Sequence, residues 1–223
     1  MQNSPKTNIK EIFTSIQGEG LRVGEKHIFV RFCKCNLKCN FCDTDFDISN
    51  SKQFSTQELF ELLKEKDCNV ISFTGGEPLL DVDFLENFLK NYKNKLNKKI
   101  YLETNGTLTK NLKKIIDYVD IVAMGIKLKS ATKQENNFIE NDNFLKISCK
   151  KEVFIKIVFD KNVQNNEIEE VVKLAKKYNT TIVLQPKMPI EQDTNLNEIF
   201  DKFYSKHKNT RLICQTHKFL NLQ

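Results

Sequence analysis

The sequence predicts an α/β fold: one domain spanning residues 1–223, built as a partial, open β/α barrel of about six to seven mainly parallel strands. Three observations predict it. Short apolar runs alternate with segments of helical period, the pattern of strands joined by helical crossovers in a parallel sheet. Seven such runs and about six crossovers fall short of the eight that close a complete barrel. Finally, the unusual polar and glycine-rich strings follow the runs, and function sits at the C-terminal ends of strands in such sheets.

Taken in order, Ile9 to Phe13 is a short apolar segment leading into Ser15-Ile16-Gln17-Gly18-Glu19-Gly20, a loop by its two glycines. His27 to Cys33 reads as a buried strand with apolar residues on both faces. A cysteine-rich loop follows, and Asp45 to Lys52 reads as polar and irregular. Ser55 with Glu58 forms a capping box for a helix whose apolar stripe is Leu59, Phe60, Leu62 and Leu63. Val70 to Phe73 is the second strand and ends in Thr74-Gly75-Gly76-Glu77-Pro78; a helix over Asp81 to Lys95 follows. Ile100 to Leu102 is the third strand, before Glu103-Thr104-Asn105-Gly106 and a helix near Lys110 to Ile116. The fourth, Val119 to Met124, ends in Gly125-Ile126-Lys127. Lys129 to Asn143 is polar and reads as a loop with one helix, and Phe144 to Lys150 is short and amphipathic. Strand five (Val153 to Phe159), a helix (Glu167 to Tyr178) and strand six (Thr181 to Leu184, ending in Gln185-Pro186-Lys187) come next. A last helix over Leu196 to Lys208 and a seventh strand over Arg211 to Cys214 complete the set.

Composition narrows the function. No apolar run approaches the roughly 20 residues needed to span a bilayer, and Met1 to Lys10 lacks the apolar core of a signal peptide. A cytoplasmic protein with no membrane partner is expected. Seven cysteines in that compartment are not a disulfide framework. The net charge of +6 comes from lysines scattered over predicted helices rather than a basic stripe, so no direct nucleic-acid partner is expected.

The chemistry centres on Cys35, Cys39 and Cys42, spaced Cys-x3-Cys-x2-Cys. A 4Fe–4S cluster normally takes four thiolates; three on one loop leave one iron open to a ligand that is not protein, by the logic that separates catalytic from closed metal sites. A structural zinc site is the alternative, since Cys33 brings four cysteines within ten positions. Zinc sites draw a second ligand pair from elsewhere, whereas Cys68, Cys149, Cys214, His27, His207 and His217 are isolated in sequence. After the second strand, Gly75 and Gly76 allow close backbone approach to a ligand, and Glu77 can accept from an ammonium group.

These strings resemble the radical S-adenosylmethionine superfamily. Together with Gln17-Gly18-Glu19-Gly20, Phe29-Val30-Arg31, Cys42-Asp43-Thr44 and Gln215-Thr216-His217-Lys218, they are similar to its 7-carboxy-7-deazaguanine synthase family, from about Glu11 to the end of the chain. The resemblance implies the superfamily's partial barrel and a radical lyase that converts 6-carboxy-5,6,7,8-tetrahydropterin to 7-carboxy-7-deazaguanine, on the route to queuosine and other deazapurines. It implies a 4Fe–4S cluster on Cys35, Cys39 and Cys42, S-adenosylmethionine, and Mg2+ at Thr44. Substrate contacts carry over to Ile16, Gln17, Gly18, Arg31, Thr104 and Gln223. Cofactor contacts carry over to Phe41, Cys42, Asp43, Gly75, Gly76, Glu77, Gly106, Gly125, Ile126, Lys127, Gln185, Pro186 and Lys187. A homodimer and an electron donor such as flavodoxin are also implied. The chain departs from the family pattern at Lys34, where a glycine is usual, at Gly125, where an acid is common, and at Leu128-Lys129-Ser130-Ala131. A glycyl-radical-enzyme activating protein is the rival within the superfamily. At the far end, Phe219, Leu220 and Leu222 predict a tail that packs down and brings Gln223 to the site.

Overall fold

The computed structural model describes residues 5–40, 42 and 48–222. Its strands form one nine-stranded sheet: β1 (Lys6–Ile16), β2 (Lys26–Phe32), β3 (Lys52–Ser55), β4 (Val70–Gly75), β5 (Lys99–Thr104), β6 (Ile121–Ile126), β7 (Glu152–Phe159), β8 (Thr181–Pro186) and β9 (Thr210–Leu212). The seven expected strands are the parallel run β2-β4-β5-β6-β7-β8-β9. Spatial order equals chain order throughout that run, so every crossover steps one strand in the same direction. That is barrel winding, without the reversal that marks a doubly wound sheet. Among the described residues β3 and β9 are edges that do not pair with each other, which leaves the barrel open.

Two antiparallel strands were not expected. The segment around Ile9 to Phe13 extends to an eleven-residue β1 paired with β2, with Phe13 stacked on Phe29 at 5.0 Å between ring centroids. β3 pairs with the other side of β1, starting at Lys52, the last residue of the stretch expected to be irregular, and ending at the Ser55 cap. The helices are α1 (Thr56–Lys64), α2 (Val82–Leu96), α3 (Thr109–Ile115), α4 (Lys129–Thr132), α5 (Phe138–Ser148), α6 (Asn165–Lys177), α7 (Leu196–Tyr204) and α8 (Thr216–Leu220). The Ser55–Glu58 capping box at α1 is present. Residues 129–150, split in the sequence into a polar loop and a short amphipathic piece, form α4 and a single helix α5 that crosses that boundary.

Strand parity divides the molecule into two layers. One parity, including Ile71, Phe73, Leu102, Val122, Ile155, Ile157 and Leu184, packs under the helices against residues such as Leu85 and Phe88. The opposite parity forms a smaller inner cluster of Val70, Tyr101, Ile121, Ala123, Phe154 and Val183. Moving two residues toward the C-terminal end of each strand replaces this apolar plug with Ser72, Glu103, Gly125, Lys156 and Gln185. The inner face is therefore sealed at one end and polar at the other.

Candidate active site

A cavity of about 560 Å3 opens above the plug, at the C-terminal ends of the parallel strands. Cys35, Cys39 and Cys42 all line it. Exposure alternates along the loop: Cys35, Leu37 and Cys39 turn inward, while Lys34, Asn36, Lys38 and Asn40 are exposed. The loop is fastened from two sides. Asn105 Nδ2 donates to Asn36 Oδ1 (2.8 Å), Asn36 Nδ2 donates to Thr107 Oγ1 (2.9 Å), and Asn40 N–H reaches the Thr132 carbonyl at 3.2 Å. Burial pushes the Cys35 and Cys39 thiols up, and Lys127 opposes the shift at both. Among the described residues no three His, Cys, Asp or Glu side chains group as a site for one metal ion. A cubane cluster asks for something different, because each thiolate takes its own iron. Three cysteines lining one shared volume, Cys35 and Cys39 half-buried and Cys42 at the exposed rim, with open cavity on the remaining side, fit that demand.

The extra cysteine is not part of this wall. Cys33 is buried outside the cavity lining, with its thiol toward the Asn8 carbonyl at 3.5 Å. Cys68 is likewise turned away, to the Lys26 carbonyl at 2.9 Å.

Gly75-Gly76-Glu77 also has a structural job at the root of the cysteine loop. Gly75 (φ +109°) and Gly76 line the cavity, but what they approach is the root of the cysteine loop. A Cβ on Gly76 would lie 2.0 Å from the Lys34 carbonyl oxygen, and one on Gly75 would lie 2.4 Å from Phe32 backbone. The Gly76 and Glu77 N–H groups donate to the Phe32 and Lys34 carbonyls at 3.0 and 2.6 Å. Glu77, expected to meet an ammonium group, is fully buried and does not reach the lining. Its carboxyl accepts from Leu79 N (3.1 Å), Thr104 Oγ1 (2.9 Å) and Asn105 N (2.7 Å), tying β4 to the end of β5. Burial raises this carboxyl to about 7 despite those donors.

Of the other expected contacts, Ile16, Gln17, Gly18, Arg31, Thr104, Gly125, Lys127 and Lys187 line the cavity. Gly106, Ile126, Gln185 and Pro186 are buried and do not line it; Gly106 packs on Met124, and Gln185 lies on the inner face close to Glu19. Phe41, Asp43, Thr44 and Gln223 lie outside the described residues. Arg31 sits over the Phe13 ring at 5.6 Å, with Glu11 at 3.8 Å as its ionic neighbour. The tail does not pack through the residues expected. Phe219 and Leu220 are exposed, and the segment is held instead by Thr216, whose N–H and Oγ1 both donate to the Gly18 carbonyl.

Sequence reasoning missed a polar ring on the cavity floor. Lys156 Nζ reaches Glu19 Oε2 (2.5 Å) and Glu103 Oε2 (3.8 Å); Gln17 Nε2 donates to Glu103 Oε1 (2.9 Å), and Gln17 Oε1 accepts the Glu19 N–H (3.1 Å). Gln215 Nε2 donates to Glu19 Oε1 at 2.6 Å, and Thr74 Oγ1 to Glu103 Oε2 at 2.9 Å. Burial alone would raise the Glu19 carboxyl, but the Lys156 ammonium and these donors together hold it well below the usual range. The signal was available: a single lysine interrupts the apolar run Val153-Phe154-Ile155-Lys156-Ile157-Val158-Phe159.

Comparison with known proteins agrees with this geometry. Residues 29–203 match the Radical SAM superfamily. The chain is 30% identical to the 7-carboxy-7-deazaguanine synthase of Geobacter sulfurreducens, over 98% of each chain. It is 32% identical to that of Haemophilus influenzae, over 98% of this chain and 95% of the relative. Among solved structures, QueE from Escherichia coli superposes with a TM-score of 0.66 at 21% identity, covering 94% of this chain and 93% of the other. SuiB from Streptococcus suis, bound to S-adenosylmethionine, superposes at 0.57 and 18% identity over 82% of this chain and 48% of its own. The thiol triplet, the open parallel barrel and full-length similarity to curated relatives converge: the chain belongs to the radical S-adenosylmethionine superfamily and, within it, to the 7-carboxy-7-deazaguanine synthases.

Proposed function

We propose that the chain converts 6-carboxy-5,6,7,8-tetrahydropterin to 7-carboxy-7-deazaguanine, contracting the ring with loss of ammonia. The observation that carries this reading is that the cysteine triplet and the expected pterin contacts Gln17, Arg31 and Thr104 line one cavity. Its volume, about 560 Å3, lies within the range of small-molecule sites. The product differs from the substrate by one ammonia, so no net oxidant is required. When bound, the cluster and S-adenosylmethionine supply a hydrogen-abstracting radical; the chain supplies binding, orientation and exclusion of water.

Arg31, fixed in β2 and backed by Phe13, suits a bidentate grip on the substrate carboxylate. Gln17 and Thr104 line the same cavity, and Gly125 and Lys127 line it from the end of β6. Lys127 also lowers the cost of ionising Cys35 and Cys39. Mg2+ at Thr44 belongs to the same reading, since Mg2+ keeps much of its hydration and needs few protein oxygens. So do a substrate contact at Gln223, a homodimer, a flavodoxin-type electron donor, a cytoplasmic location and a place in deazapurine biosynthesis for tRNA modification. No helix among the described residues is long and apolar enough to cross a membrane.

The test is anaerobic turnover of the pterin with S-adenosylmethionine, Mg2+ and a reductant. A deazapurine, identified by mass and ultraviolet spectrum, should form with one equivalent of ammonia. Cleavage of S-adenosylmethionine with the pterin recovered unchanged would contradict the reading, and would favour an activating protein for a glycyl-radical enzyme.

A further inference from the structure

Lys156 is the feature of the cavity that neither the sequence motifs nor the expected contacts account for. It projects from the inner face of β7, between fully buried Phe154 below and Val158 above. Its side chain is 11% exposed, and those of Glu19 and Glu103 are 18% and 17% exposed. An ammonium so withdrawn from water is expensive unless paired.

The pairing depends on β6. Register sets Glu103 beside Ala123 and Gly125 beside Lys156, so β6 presents only small residues to the inner face at this level. The long side chains of the two flanking strands meet across that gap. Glu19 joins from the loop after β1, Gln17 links the Glu103 carboxylate to the Glu19 backbone N–H, and Gln215 attaches the C-terminal segment. Each of the four carboxylate oxygens already accepts one donor, from Lys156, Gln215, Gln17 or Thr74; the second lone pair of each is the acceptor capacity left for a ligand on this cavity wall. An acceptor pair of this kind suits a ligand edge with adjacent N–H donors. The fused pyrimidinone of a pterin has such an edge, its ring N–H beside its amino group.

We propose that Lys156 is a positioning residue for the substrate: by bridging Glu19 and Glu103 over Ala123 and Gly125, it fixes both carboxylates to accept the N–H donors of the amino-pyrimidinone edge. This rests on the pterin reading above. It places that edge at the polar ring and the substrate carboxylate at Arg31.

The experiment compares the parent, Lys156→Met and Lys156→Arg, each loaded with cluster, on the pterin and on its 2-oxo analogue, which lacks the amino group. Lys156→Met should raise the pterin KM by about tenfold or more, the effect of weakening a charged hydrogen-bond set, with a much smaller change in kcat. Its preference for the 2-amino over the 2-oxo compound should collapse, and Lys156→Arg should restore most of both. Iron content reports on folding. A Lys156→Met enzyme whose KM and preference stay within about twofold of the parent overturns the proposal, as does one that fails to hold iron, which would make Lys156 a folding residue. A parent that leaves the pterin untouched overturns the pterin reading together with this one. An active parent with an indistinguishable Lys156→Met overturns this one alone.

Discussion

At the residue scale, the second glycine after β4 is set by the cysteine loop and not by a ligand alone. Gly76→Ala would press a methyl group into the Lys34 carbonyl, where backbone stands on both sides and nothing can swing aside. We expect a cost of about 1–3 kcal/mol or more and a marked loss of bound iron, with helix content by circular dichroism retained. Full iron occupancy would contradict that picture. Glu77 makes a second prediction. Its folded carboxyl, raised to about 7 from an ordinary 4.5, holds its proton more tightly than the unfolded chain does. Its stabilising contribution is therefore fully present below about pH 4.5 and lost as pH rises through 7, amounting to at most about 3 kcal/mol. Urea midpoints of the parent and Glu77→Gln, compared from pH 5 to 8, should show the parent losing stability relative to the variant. A difference that does not change with pH would remove Glu77 as the titrating group.

At the element scale, the C-terminal segment is clamped on the Gln17–Glu19 loop by an absence of side chain. A Cβ on Gly18 would lie 2.4 Å from His217 Nδ1 and 2.8 Å from its backbone nitrogen. Gly18→Ala should therefore lift residues 215–218. Hydrogen exchange at the Thr216 amide, which donates to the Gly18 carbonyl, should accelerate by about tenfold or more, and the pterin KM should rise. Unchanged protection at Thr216 would show that the clamp lies elsewhere. The same scale shows what was legible. Most of the seven parallel strands could be read because they are compact apolar runs largely buried on both faces; β9, with Arg211 and Leu212 exposed, is the exception. β1 could not: a bulge between Ile9 and Glu11 breaks its alternation, and most of its residues are only half-buried. β3 is four residues of largely polar chain that becomes a strand only by pairing with β1. The continuity of α5 across Asn143 was missed because Asn141, which is buried and donates to the Gly106 carbonyl, reads as a surface residue in sequence.

At the scale of the whole molecule, strand order carries the site. Monotonic winding brings the ends of β2, β4, β5, β6 and β7 around one cavity, so strings far apart in sequence become neighbours. Motif residues were legible because their types are rare at strand ends. The ring of Lys156, Glu19 and Glu103 was not, because ordinary charged residues acquire meaning only from register. The central claim is that the three thiols on that cavity are the centre at which the pterin reacts. Its most direct test is the amount of 7-carboxy-7-deazaguanine formed per chain by six single variants, each reconstituted anaerobically. Cys35→Ala, Cys39→Ala and Cys42→Ala should give none. Cys68→Ala, Cys149→Ala and Cys214→Ala, which remove thiols outside the cavity lining, should retain it. Product from any one of the first three would contradict the account.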